Sequence, residues 1–319
     1  MEKISGTAEI FHKFENFGID LKSISKVDHV HSFAKLLTYF ALVVFLSVGI
    51  IFIQDWKLIL ILQLLLGITF AHGLELQHEC LHHNFFNSKI LNCFFGFLFG
   101  VPMLVSYTHY RVQHLHHHKY LGTEKNAEIF DYDESSLESF NKFFVRAWNF
   151  ARIPTFFPTL FNLIKGKYPE VFSTNKAKKD VLIEYFVLVT IFLTLFSITV
   201  FNVSLIPLKI WFIPWLVFGE FFHFLIELPE HIYCNKTTTD VFLNTRSVET
   251  HPIISYITNG NNYHVEHHLY PSVAVHNLKK VHHPIVVILV EIARSVLHGD
   301  KFLFSWCNGM GGTILGKSD

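Results

Sequence analysis

The sequence predicts an all-α integral membrane protein, with four transmembrane helices, additional interfacial helices and a His-rich cap outside the bilayer. Three observations lead there. Half of the 319 residues are hydrophobic, including 35 Phe, and only 16% are charged. The apolar residues come in long runs, such as Phe33–Ile53 and Val181–Phe201, each close to the ~20 residues that a helix needs to cross a bilayer core. The 22 histidines gather near the ends of such runs.

Residues 1–32 are polar and mixed and read as a cytosolic lead-in. The opening Met1-Glu2-Lys3-Ile4-Ser5 leads to no short apolar core with a cleavage site, so neither a secretory signal nor a transit peptide is expected. The first span, Phe33–Ile53, carries only Lys35, near its start. Gln54-Asp55-Trp56-Lys57 is a tight hairpin, and the second helix runs from about Leu58 through Phe70 into "QHECLHH", carrying histidines beyond the bilayer.

Residues 90–106 are apolar but short and broken by Gly96, Gly100 and Pro102, as expected of a segment that dips in and returns. Residues 140–164 mix aromatics with Lys142, Arg146 and Arg152, the pattern of an interfacial helix. The third span is Val181–Phe201, with Glu184 as its one charge. The fourth, Ile210–Leu228, contains Glu220, His223 and Glu227. Residues 229–283 are polar and His-rich, Pro284–Leu297 is apolar enough to pack on the membrane, and a Gly-rich tail follows. The expected division is residues 1–32, a membrane domain over 33–298, and a tail over 299–319, without internal repeats.

Charge sets the expected orientation. Of 26 Lys and Arg, only Lys57 and Lys209 fall in the two short turns, so the positive-inside rule puts both termini and the histidines in the cytosol. The formal net charge is zero, which gives no global field for nucleic acid. Cys80, Cys93, Cys234 and Cys307 form no C-x-x-C pair, consistent with a reducing compartment rather than a disulfide framework.

Three histidine clusters stand out: His78, His82 and His83; His114, His117 and His118, with His116 between; and His264, His267 and His268. On a helix, residues three and four apart share a face, so each cluster can aim two or three imidazoles at one place. A lone His-His pair is usually just solvated. Three clusters, each beside a membrane segment, call for a shared purpose. Even eight of these histidines exceed one four-coordinate zinc site, so two metal ions are the smaller assumption. A nitrogen-rich site suits iron and is unlike the oxygen-rich sites of magnesium and calcium, while zinc, copper and manganese stay open on ligand type alone.

"HECLHHNFF", "YRVQHLHHHKYLGT" and "NYHVEHHLYP" resemble the three histidine boxes of the membrane fatty acid desaturases, a likeness that runs over roughly residues 30–285. The resemblance implies a four-span helical fold with a cytosolic di-iron centre. Its ligands would be His78, His82, His114, His117, His118, His264, His267 and His268, with His231 of "LPEHIY" added from between the second and third boxes. No catalytic side chain is implied beyond these ligands. It further implies O2 as co-substrate and a fatty acyl substrate carried on lipid, coenzyme A or acyl-carrier protein. Two electrons would come from the substrate and two from a donor. The sequence "NTRS" at 244–247 also matches a family stretch, without a definite role for Arg246.

Departures from the family pattern are Asn126 where Asp is frequent, and His264 where many members carry Gln. No His-Pro-Gly-Gly haem motif and no cysteine set for an iron–sulfur cluster is present, so the donor is expected to be a separate protein of ferredoxin or cytochrome b5 type. The Lys-, Asn-, Ile- and Phe-rich composition favours a bacterial inner membrane over the endoplasmic reticulum.

Glu75, Glu79 and Glu266 are the carboxylates placed to orient or offset a cationic site, and His83 and His223 stay open between site and scaffold. Three other readings compete. His78-Glu79-Cys80-Leu81-His82 also fits H-E-x-x-H, the pattern of a zinc protease with Glu79 as base, but that reading leaves the other two clusters idle. A metal transporter would place its ligands at mid-membrane depth, where only Glu220, His223 and Glu227 lie. A di-iron hydroxylase or ketolase acting on a lipid, alkane or carotenoid shares the chemistry up to the fate of the substrate radical.

Overall fold

The structure is a computed structural model and describes residues 20–126, 137–148 and 152–286. Among these residues there is no strand beyond a single antiparallel bridge, Ser247–Tyr263; everything else regular is helical. Pro284–Leu297, expected to pack on the membrane, lies outside the described residues from 287 onward, as do residues 1–19 and the tail.

Helix α1 spans His29–Phe52 and α2 spans Trp56–Leu81, each started by an aspartate whose carboxylate accepts from the first free amides, Asp28 for α1 and Asp55 for α2. On α1, Ser32, Lys35, Leu36, Tyr39, Leu46 and Ile50 are buried, a single stripe at helical spacing. The opposite face exposes Val30, Phe33, Leu37, Val44 and Phe45, as lipid contact requires. From Thr69 to Leu81 α2 is buried all round, which makes it the central helix of the bundle.

Helix α3, Lys89–Gly100, ends in a tight turn at Val101–Met103, and the chain then bends by 101° into α4, Tyr107–Tyr120. The expected break at Gly100 and Pro102 is therefore present. Ser106 caps α4, and the carboxylate of Glu184 accepts from the Thr108 amide at 2.8 Å and from the Ser106 and Thr108 hydroxyls at 2.6 Å. A negative charge at a helix N-terminus is favourable. This explains the single charge in the third span.

Two one-sided helices follow, α5 at Phe140–Ala147 and α6 at Arg152–Ile164, where an interfacial helix was expected. Helix α7 runs over Asn175–Val200 with Thr174 as its cap, starting six residues before the apolar run that marked it. Helix α8, Leu208–His231, is π-wound over Leu208–Phe212 and Pro214–Gly219 before becoming regular at Glu220. Wide winding frees carbonyls, and in lipid each must find a partner inside the protein. Gln63 of α2 supplies one, donating to the Lys209 carbonyl at 2.8 Å.

The two central helices meet at Gly67. A Cβ added there would lie 2.4 Å from the Phe218 Cβ and 2.5 Å from the Pro214 carbonyl, so α2 and α8 touch backbone to backbone. Among the described residues, helices α1, α2, α7 and α8 are the four unbroken helices long and apolar enough to cross a membrane, as the sequence predicts. The short helices α9, Pro252–Ile257, and α10, His264–Leu269, close over the ends of α2, α4 and α8.

Candidate metal centre

Each box comes to the site on its own element. His78 lies on the last turn of α2 and His82 is its C-cap, so the i, i+4 spacing survives to the helix end. His83 then takes a left-handed conformation (φ 60°) and leaves the group. Helix α4 presents His114, His117 and His118; α8 ends on His231; α10 presents His264, His267 and His268. All nine expected ligands come together, and the dip at α3 is what lets α4 meet the end of α2.

They form two groups. In the first, His78, His82, His114, His118 and His267 bring nitrogens within 4.8 Å of one another. The Nε2–Nε2 separations are 2.9 Å for His78–His114, 3.0 Å for His82–His114, 2.9 Å for His114–His118 and 3.0 Å for His118–His267. The second group is His117, His231, His264 and His268. Its Nε2–Nε2 separations are 3.2 Å for His117–His231, His231–His264 and His264–His268 alike. His118 and His268 stack at 4.2 Å between ring centroids, so the groups share a wall.

Tautomers show what such contacts mean. His231 Nδ1 lies 2.9 Å from the Asn244 carbonyl, which can only accept, so the proton sits on Nδ1 and Nε2 carries a lone pair. His264 Nδ1 faces Asn261 Oδ1 at 3.1 Å, and the Asn261 orientation is set by its amide donating to Glu230 Oε1 at 2.6 Å. His117 Nδ1 faces Asn126 Oδ1 at 3.0 Å. His231 Nε2 therefore lies 3.2 Å from both His117 Nε2 and His264 Nε2, and Glu230 Oε2 stands 3.1 Å from His264 Nε2, a crowding of lone pairs that is repulsive unless a cation stands among them. Two nitrogens about 2.1 Å from one ion and at right angles stand ~3.0 Å apart, which both groups match. Five imidazoles in the first group exceed the four ligands of zinc. The residues fit two first-row metal ions.

Burial, with neighbouring imidazoles adding to it, pushes His264, His267 and His268 well below the usual histidine range. They are held neutral, the form that binds metal.

The carboxylates divide differently from expectation. Glu79 accepts from Lys35 Nζ at 3.2 Å and from the Asn259 amide at 3.0 Å, a buried brace between α1, α2 and the loop before α10. That placement removes it from the role of base in H-E-x-x-H. Glu266 accepts from Ser247 and from His282 Nδ1, the latter at 2.7 Å, and anchors α10 from its far side. Burial lowers His282, but its hydrogen bond and charge contact with Glu266 outweigh this and raise it overall. Glu75 instead gathers with His223 and Glu227, a third cluster. Arg246 gives its backbone amide to the Glu230 carbonyl at 2.9 Å.

Sequence reasoning missed Asn244 and Asn261 as imidazole partners, and took Asn126, a departure from the family pattern, for a supporting or structural position. The spacing Asn261–His264, three residues apart across a helix start, was the one local signal. An apolar cleft lined by Leu104, Phe156, Phe157, Phe192 and Trp215 opens between α6, α7 and α8.

A helical membrane bundle capped by two convergent imidazole groups defines the class of histidine-box membrane oxidoreductases. The chain belongs to the fatty acid desaturase family, whose model matches residues 54–296, starting after α1 and ending about ten residues beyond the likeness seen in the sequence. It is 24% identical over 275 residues to an sn-1 oleoyl-lipid 12-desaturase of Anabaena variabilis, covering 80% of this chain and 75% of the relative. It is 24% identical over 245 residues to the dihydrorhizobitoxine desaturase of Bradyrhizobium elkanii, covering 71% and 68%. It is 34% identical over 77 residues to an sn-1 acyl-lipid omega-3 desaturase (ferredoxin) of a Nostoc species, covering 24% and 21%.

Proposed function

We propose that this desaturase introduces a double bond into a fatty acyl chain at two iron ions. His78, His82, His114, His118 and His267 would hold one ion, and His117, His231, His264 and His268 the other. Lone pairs converging without protons between them carry this reading. The iron ions, when bound, supply the O2-dependent oxidation that removes hydrogen from an unactivated methylene. The overall reaction converts an acyl CH2–CH2, O2, two electrons and two protons into CH=CH and two waters.

The protein's own contribution is orientation. Asn126, Asn244 and Asn261 each hold an imidazole in the tautomer with its Nε2 lone pair directed inward. The Lys and Arg distribution supports a cytosolic site, and the Lys-, Asn-, Ile- and Phe-rich composition supports a bacterial inner membrane. An acyl lipid is the substrate class that the Anabaena relative's name supports, and the Nostoc relative's name supports ferredoxin as the separate donor.

The test is metal content of the detergent-purified chain together with lipid profiling of cells that express it. Histidine-bound iron at about two ions per chain, lost in part or whole in His117→Ala and His267→Ala, with a new alkene in the membrane lipids, is the expected result. A hydroxylated product would make it a hydroxylase. One zinc that survives both substitutions would overturn the di-iron reading.

A further inference from the structure

One turn below the histidine layer, in the body of the bundle, lies a third group of donors that the reaction above does not use. Glu75 precedes His78 by three residues on α2, and Glu227 precedes His231 by four on α8, which places them about 4.5–6 Å down the helix axes. His223 is one further turn down α8. One ligand atom from each of Glu75, His223 and Glu227 lies within 4.8 Å of the others, and His223 Nε2 is 3.4 Å from Glu227 Oε1.

All three side chains are removed from solvent: Glu75 and His223 are 1% exposed and Glu227 10%. Neither oxygen of Glu75 makes a hydrogen bond of ordinary length, and the neighbouring Asn261 amide gives its short bond, 2.6 Å, to Glu230. Lys35 is committed to Glu79. A carboxylate buried between helices is strongly unfavourable unless something positive answers it. Here two carboxylates and an imidazole are gathered in one buried place.

We propose that Glu75, His223 and Glu227 form a third cation site, which takes one divalent first-row transition-metal ion such as Fe2+, Mn2+ or Zn2+. Two carboxylates neutralise the ion's charge, so the filled site is electrically neutral inside the bundle. One imidazole and two carboxylates disfavour the all-oxygen ions Mg2+ and Ca2+ and the soft ion Cu(I). The ion ties α2 to α8 just above their close contact at Gly67, so it braces the two helices that carry His78 and His231. The site stands on its own donors, whatever the histidine groups hold.

The experiment is Mn2+ titration of the chelator-treated full-length chain in detergent, read by the electron paramagnetic resonance signal of free Mn2+. The wild type should saturate at one equivalent more than Glu75→Gln and than Glu227→Gln, both close in shape to the native residue. His267→Ala should retain this additional equivalent. If Glu75→Gln and Glu227→Gln both saturate with the wild type, the third site is overturned while the histidine groups are untouched. Loss of Mn2+ binding confined to histidine variants overturns it as well. If neither glutamine variant stays monodisperse, infrared spectra of the wild type decide. A protonated-carboxyl band that persists at Mn2+ saturation means that the carboxylates share a proton, which overturns the site, and its disappearance on Mn2+ addition supports it.

Discussion

The two imidazole groups are built on different principles. The first has five histidines from α2, α4 and α10, and within it His78 Nδ1 and His267 Nδ1 have no hydrogen-bond partner. Those two rings are held by the packing around them, His78 on the buried end of α2 and His267 on α10. The second has four, and three of them are aimed by an oxygen acceptor on Nδ1, from Asn126, Asn244 or Asn261. In the larger group, two rings do without a hydrogen bond on Nδ1. Where one ligand is fewer and the elements are short, as at α10 and the last turn of α8, hydrogen bonds supply the orientation.

The largest expected difference between the groups comes from removing one ligand from each. His231→Ala leaves three imidazoles in the second group and should empty it, whereas His82→Ala leaves four in the first and should weaken it without emptying it. Metal counts per chain for the two variants check this, and equal loss would break the comparison. A stability test separates the scaffold from both groups. Lys35→Met strands the Glu79 carboxylate in the interior and should destabilise the chain by about 3–5 kcal/mol. Thermal unfolding reads that loss, and the histidine-bound metal per folded chain should be unchanged. If the metal falls instead, Glu79 serves the first group.

A smaller effect is expected from the asparagines. Asn126→Leu or Asn261→Leu should weaken metal binding by about 10–100-fold at the second group only. Chelator competition should therefore strip one ion early and the other at the wild-type concentration. Acid, in contrast, should act on both groups. His267 belongs to the first and His264 and His268 to the second, and all three lie low in the folded chain. Unfolded, they titrate near 6.5, so below that value the unfolded chain binds more protons and stability falls with pH. Their contribution is complete above about pH 6.5, and pH-dependent unfolding and metal release measure it.

Much of this was legible in the sequence, because apolar runs and i, i+3, i+4 histidine spacings are local signals. The spans α1 and α7 and the three histidine clusters could be read that way, whereas His231 was reached only through the family resemblance. Hydropathy marks where a helix meets lipid, not where it begins, so the polar first turns of α7 at Asn175–Asp180 were read as a connecting stretch. The π winding of α8 depends on Gln63, 146 residues away, as partner for a freed carbonyl. Glu79 could pass for a base because Lys35 stands 44 residues before it in the chain. The roles of Asn126 and Asn244 depend on which way a ring faces, and no periodicity encodes that.

Both groups draw members from α10, which sits almost 190 residues after His78. Neither can be complete until the chain has been synthesised past His268, so during translation the early histidines wait in a partly assembled bundle. On the proposed function, metal would therefore be loaded late, after the spans are in place. A chain interrupted before residue 264 would reach the membrane without a finished site of either kind.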